Sequence, residues 1–249
     1  MKDSIDNILL NLYKEHGWGV YGFLDLKESL SQKKEIDSCL LEETYWDKPE
    51  VIFDHESSDI LFSENAKNWP SILFEVMGAY EIENAQEKGR IILFDDVINK
   101  FGLYYYEMLG KYIHLSRQYC IHMVREIVLW HHLGHWIMHW MPGRDGHRWL
   151  FPKLASLPDK HDVSEGIAQV FAFYAISQLE KETDRSRYMM TFNFMLIGQA
   201  PCYHKHTQIM SKGRFGWNEF LTAITMIRIC GEPDDVTLDY LLSNLWNSN

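Results

Sequence analysis

Residues 115–140 carry one unbroken helical pattern, and the run Arg125-Glu-Ile-Val-Leu-Trp-His-His-Leu-Gly-His-Trp-Ile-Met-His139 inside it limits what can be built around it. Val124, Ile127, Val128, Leu129 and Leu133 supply an apolar face, so this helix has to be covered by other elements. His131 and His135 are four residues apart. On a helix that spacing turns both imidazoles to one side, where they can share one metal ion. Gly134 leaves room for a neighbouring element to come close. Pro142, Gly143 and Gly146 end the pattern with turn chemistry.

The rest of the chain predicts a fold around that helix. Residues 4–15 read as a short amphipathic helix, with Ile5, Ile8, Leu9, Leu12 and Tyr13 at helical spacing and His16-Gly17 as its end. Residues 17–88 mix short apolar runs (51–53, 60–62, 72–74) with many acids, and read as an accessory α+β or helical segment. Arg90-Ile-Ile-Leu-Phe94 has the composition of a buried strand. Asp95-Asp96 then opens a helix through Val97, Ile98 and Phe101. Another helix spans 163–180, with Val163, Ile167, Val170, Phe171 and Tyr174 on one stripe, and two more are expected at 186–197 and 217–230. The expectation is an α+β fold, mostly helical, with a small sheet and one site-bearing helix. It divides into an accessory segment, 1–88, and a metal-binding domain, 89–249.

Composition narrows the function. Apolar residues make up 46% of the 249, enough for a substantial core. The net charge of -11 argues against a general nucleic-acid binder. The four cysteines, at 39, 120, 202 and 230, form no C-x-x-C pair and suggest no disulfide scaffold. There is no signal-like start and no apolar run of about 18 residues, so a cytoplasmic protein without a membrane span is expected.

Two histidines do not complete a metal site. Zinc in an open site takes about three protein ligands and a water. Glu165, in the first turn of the 163–180 helix, would complete a His₂Glu set if that helix faced the histidines. Each residue also has a plainer reading. Histidines at i, i+4 on an apolar helix can be satisfied core residues, and Asp162-x-x-Glu165 fits a capping box.

His131-His-Leu-Gly-His135-Trp, followed by Glu165-Gly-Ile-Ala-Gln-Val-Phe-Ala172, resembles the gluzincin branch of the zincin metallopeptidases. It is most similar to small intracellular bacterial and phage members, with H-E-x-G-H and a later E-x-x-A-[NQ]-x-F-A helix. The resemblance covers roughly residues 89–180, where the strand 90–94 would be the edge strand above the cleft. It implies one Zn²⁺ per chain on His131, His135 and Glu165, and a peptide or protein as substrate or partner. The chain departs from the family at His132, which stands where the family has the glutamate general base. A metal ion nearby lowers imidazole basicity, so His132 would be a poor replacement.

Three functions follow as expectations. One is a zinc-dependent peptide hydrolase of weak or absent activity. Another is a non-catalytic binding protein on a zincin scaffold. The last is a metal enzyme of other chemistry, with His132 as ligand or base. On an ideal helix His132 points about 100° from His131, so it is not expected on the same ion. His139 either extends the metal stripe or lies beside it or at the surface. Tyr203 or His204, in Pro201-Cys-Tyr-His-Lys-His206, would stabilise an oxyanion; the alternative is a solvated loop.

Overall fold

The computed structural model describes residues 49–54, 73–82, 89–140 and 160–204. The chain divides into two compact units, one of residues 50–137 with 154–206 and one of 1–49, 138–153 and 207–249. Apart from Pro49 and the last turn of the histidine helix, the described residues belong to the first unit. The helices expected at 4–15 and 217–230, and the turn at 142–146, lie outside them.

The order of elements is β1 (Glu50–Asp54), α1 (Leu73–Met77), β2 (Gly78–Glu81), β3 (Arg90–Phe94), α2 (Asp95–Met108), a 3-10 turn (Gly110–Ile113), α3 (Arg117–Trp140), α4 (Lys160–Ser177), α5 (Glu182–Met195) and a second 3-10 turn (Pro201–His204). This is the mostly helical α+β arrangement that the pattern predicts. Among the described residues the sheet has three strands in the order β1-β3-β2. β1 runs parallel to β3, pairing Glu50 with Arg90 through Asp54 with Phe94. β2 runs antiparallel to β3, pairing Gly78 with Leu93 and Glu81 with Arg90.

β3 is therefore the central strand and not the edge strand that the resemblance implies. Its sequence carries the reason. Ile91, Ile92 and Leu93 are all buried, and a continuous apolar run suits a strand covered on both faces and paired on both sides. The pairing also joins residues on either side of position 88, since β1 and β2 both precede it.

α3 starts where Ser116 Oγ accepts from the Tyr119 backbone N–H at 3.1 Å, a serine cap. Just before it, His114 adopts the left-handed conformation that ends the 3-10 turn. Every residue from Glu126 to Ile137 is buried. A helix covered on all sides is a central helix, not an amphipathic surface one. α2 crosses it at Gly102, where an added Cβ would lie 2.7 Å from Ile121 Cα. The two helices are also joined by Arg125, whose guanidinium meets Asp95 Oδ1 at 3.0 Å. α5 packs its rings on both: Phe194 against Phe101, Tyr104 and Tyr105, and Tyr188 against Trp130. Cys120 is a buried free thiol, and burial pushes it up to about 11, so it behaves as a small core residue.

α3 and α4 meet at Gly134. A Cβ there would lie 2.8 Å from Ala168 Cα, 3.1 Å from Phe171 Cβ and 3.2 Å from Ala168 O. Two of these atoms are backbone and cannot swing aside. Gly134→Ala therefore sets overpacking, about 1–3 kcal/mol, against a gain in helix propensity of about 1 kcal/mol. We expect a net loss of up to about 2 kcal/mol in urea unfolding. A variant more stable than the parent would show that the helices have room to spare at this crossing.

Candidate metal centre

Four buried polar side chains converge where α3, α4 and α1 meet. His131 is fully buried, His132 is 2% exposed, and His135 and Glu165 are each 6% exposed. The Nε2 atoms of His131 and His135 lie 3.2 Å apart. Glu165 reaches across from α4, with Oε2 3.0 Å from His131 Nε2 and Oε1 3.3 Å from His135 Nε2. The Oε2 approach is short but misdirected, and that oxygen has no hydrogen-bond partner among the described residues. α4 begins at Lys160, so Asp162 lies inside its first turn and the capping-box reading of Glu165 loses its basis.

These spacings fit a cation. Ligand atoms 2.0–2.2 Å from a tetrahedral zinc ion are about 3.3–3.6 Å from one another. The three observed edges, 3.0, 3.2 and 3.3 Å, lie close to that range. Lone-pair atoms packed this tightly need a proton or a metal ion between them.

His132 joins the same cluster. Its ring centroid is 4.9 Å from that of His131 and 5.8 Å from that of His135. One ligand atom from each of His131, His132 and His135 can be chosen so that all lie within 4.8 Å, and this buried group could hold a metal ion. The expectation that helix rotation separates His132 from the pair is thus corrected: a 100° turn is offset by the reach of the imidazole. Its position has a cause in α1 and β2. Nε2 lies 3.4 Å from the Phe74 carbonyl oxygen, and a Cβ on Gly78 would come within 2.6 Å of that nitrogen. Glycine at 78 is what lets the ring slide under the start of β2.

Neither Phe74 nor Gly78 carries a signal in the sequence that marks it as part of a site, yet both shape it. The Phe74 ring lies 4.7 Å from that of His131. Tyr203 stacks on Phe74 at 5.6 Å, lies 6.1 Å from the His131 ring, and donates its hydroxyl to Glu75 Oε1 at 2.6 Å. Tyr203 is fully buried, so the solvated-loop alternative fails for it. His204 is exposed. The side chain of His139 lies outside the described set. Gln199 Oε1 accepts from Leu73 N at 2.8 Å and so holds the start of α1.

No protein-family model, curated protein or solved structure matches the chain. The site is therefore read from its own geometry. No described helix is long and apolar enough to cross a membrane.

Electrostatics make the cluster a set of ready ligands. Burial pushes the His131 imidazole down to about 4, against the opposing pull of Glu165. Burial, then His131 and His135, hold His132 well below its ordinary value. Burial acts to raise Glu165, but His135 and His131 together outweigh it and keep the carboxyl well below the usual range. A neutral imidazole offers its lone pair without first losing a proton.

The sign for stability follows. Between pH 6.5 and about 4 the unfolded chain takes up a proton at His131 that the folded chain refuses, so stability falls as pH drops through this window. The loss is on the order of 3 kcal/mol for a shift of this size. Below it, protonation of Glu165 acts in the same direction. In urea titrations of metal-free protein at pH 7, 6, 5 and 4.5, the midpoint should decline, and His131→Gln should flatten the decline. A parent midpoint that stays constant over this range would contradict the assignment.

Proposed function

We propose that the chain is a zincin-like metalloprotein of the gluzincin type, holding one Zn²⁺ on His131, His135 and Glu165. The observation that carries this reading is the Glu165 carboxylate facing both Nε2 atoms from a separate helix, as a His₂Glu set requires. Bound there, a zinc-class ion would supply a Lewis acid and an acidified water. The cleft partner would be a peptide or protein, and the natural setting the cytoplasm.

His132 decides how much catalysis remains. A general base must be free to take a proton and return it. His132 is nearly fully buried, its Nε2 lies against the Phe74 carbonyl, and burial lowers its basicity. These observations favour a feeble hydrolase, or a second reading in which the scaffold binds a partner and performs no hydrolysis. Tyr203 is the better of the two oxyanion candidates, being beside His131, although its hydroxyl is given to Glu75.

Two measurements test this. Chelator-stripped protein reloaded with zinc should hold about one ion per chain. Glu165→Gln should weaken that affinity by at least tenfold while costing at most about 1 kcal/mol of metal-free stability. Protein that stays metal-free under zinc loading would end the proposal. On a broad peptide library the parent should be slow or inert, and His132→Glu should raise hydrolysis by about 10²-fold or more. If both proteins load zinc and both stay inert, the binding reading stands and the hydrolase reading falls. A fast parent that His132→Glu slows would make His132 a working catalytic residue.

A further inference from the structure

His132 is 2% exposed, and two contacts fix how its ring lies. A Cβ on Gly78 would come within 2.6 Å of Nε2 and 2.7 Å of Cδ2, so that edge of the ring faces the start of β2. Nε2 is also the nitrogen that approaches the Phe74 carbonyl oxygen, at 3.4 Å.

That carbonyl decides the tautomer. A carbonyl oxygen only accepts, so the neutral ring settles with its proton on Nε2. The opposite tautomer would set two lone pairs against each other and leave a buried N–H unused. With the proton on Nε2, the lone pair is on Nδ1, across the ring from the edge that faces β2. Nδ1 is buried and has no hydrogen-bond partner among the described residues. Buried polar atoms are paired in nearly all proteins, and a bare imidazole nitrogen is satisfied by a donor or by a metal ion.

The neighbours of this ring point to the ion. Its centroid is 4.9 Å from that of His131 and 5.8 Å from that of His135. One nitrogen from each of the three imidazoles can be chosen so that all lie within 4.8 Å of one another. Four-coordinate zinc sets its ligands about 3.3–3.6 Å apart, so a ring shift of about 1 Å brings the third imidazole in.

We propose that His132 is the fourth ligand of the ion, and that its Nδ1 fills the position an open site leaves to water. The centre is then closed, with three neutral imidazoles and the Glu165 carboxylate around one divalent cation of the zinc class. Closed four-ligand sites hold a fold together, whereas catalytic sites keep one position open. Burial agrees with closure: none of the four side chains is more than 6% exposed. The assignment rests on the metal-centre reading given above and, of its two arms, favours the one without hydrolysis.

X-ray absorption of the zinc-loaded full chain counts the ligands, and cobalt(II) in place of zinc reports an open position. The parent should show three imidazoles and one carboxylate, and a four-coordinate cobalt spectrum that azide leaves unchanged. His132→Phe keeps a ring and removes both nitrogens. It should fall to two imidazoles, gain azide-sensitive cobalt bands and bind zinc about 10²-fold more weakly, since losing even an outer partner of a ligand costs about 10–100-fold. Should that variant not fold, the parent spectra decide by themselves. A parent with two imidazoles and a water, cobalt bands that azide shifts, or a folded His132→Phe with parental affinity overturns the fourth-ligand role and leaves the three-ligand centre intact. A parent that takes up no zinc overturns the metal centre itself, and the inference with it.

Discussion

The close approach of α3 and α4 at Gly134 and Ala168 sets the distance on which the candidate centre depends. Glycine and alanine at the crossing let two backbones come near enough for the Glu165 side chain to span from one helix to imidazoles on the other. A larger residue at Gly134 would press on the Ala168 backbone and push the helix that carries Glu165 away. The site is thus fixed by the absence of side-chain volume as much as by the ligands, and the crossing needs no flexible loop to assemble it.

Two buried carboxylates in this unit show what separates a structural polar group from a candidate ligand. Glu126 is 7% exposed and receives the Tyr188 hydroxyl at 2.5 Å, with His122 Nε2 3.3 Å from the same oxygen. A neutral donor satisfies it, and it joins α3 to α5. Glu165 faces two ring nitrogens that also face each other, and one of its oxygens goes unsatisfied among the described residues. Desolvating such a set is costly unless a positive charge sits among its members. Stability alone gives no reason to gather three imidazoles and a carboxylate there.

The helices were legible because their signals are local. Histidine spacing, the Asp95-Asp96 start and the stripe around Val170 all repeat within one or two turns, and the observed helices start or end within a few residues of the expected positions. Glu165 was legible because helix periodicity and a sequence resemblance converged on it. β1 and β2 were not assigned as strands, since each is only four or five residues long and their partner β3 lies up to 40 positions away. The roof over the site was hidden for the same reason. Phe74 looks like any core phenylalanine, and Gly78 like a turn, until both meet His132. His132 was misplaced for a different reason: a helical wheel gives the direction of Cβ, whereas a ring nitrogen reaches several ångströms past it.

The complete burial of α3 from Glu126 to Ile137 also governs time. Among the described residues His131 is covered on all sides, and one of the elements over it is α1, whose Leu73, Phe74, Val76 and Met77 are buried, whose start is held by the Gln199 amide and whose Glu75 is held by the Tyr203 hydroxyl. An element buried and tied in this way opens only together with part of the core around it. For an ion held there as proposed, entry and escape would be set by how often that cover lifts and not by how strongly the ligands attract. Such a centre would be a slow trap, one whose occupancy reflects the conditions under which the chain last opened.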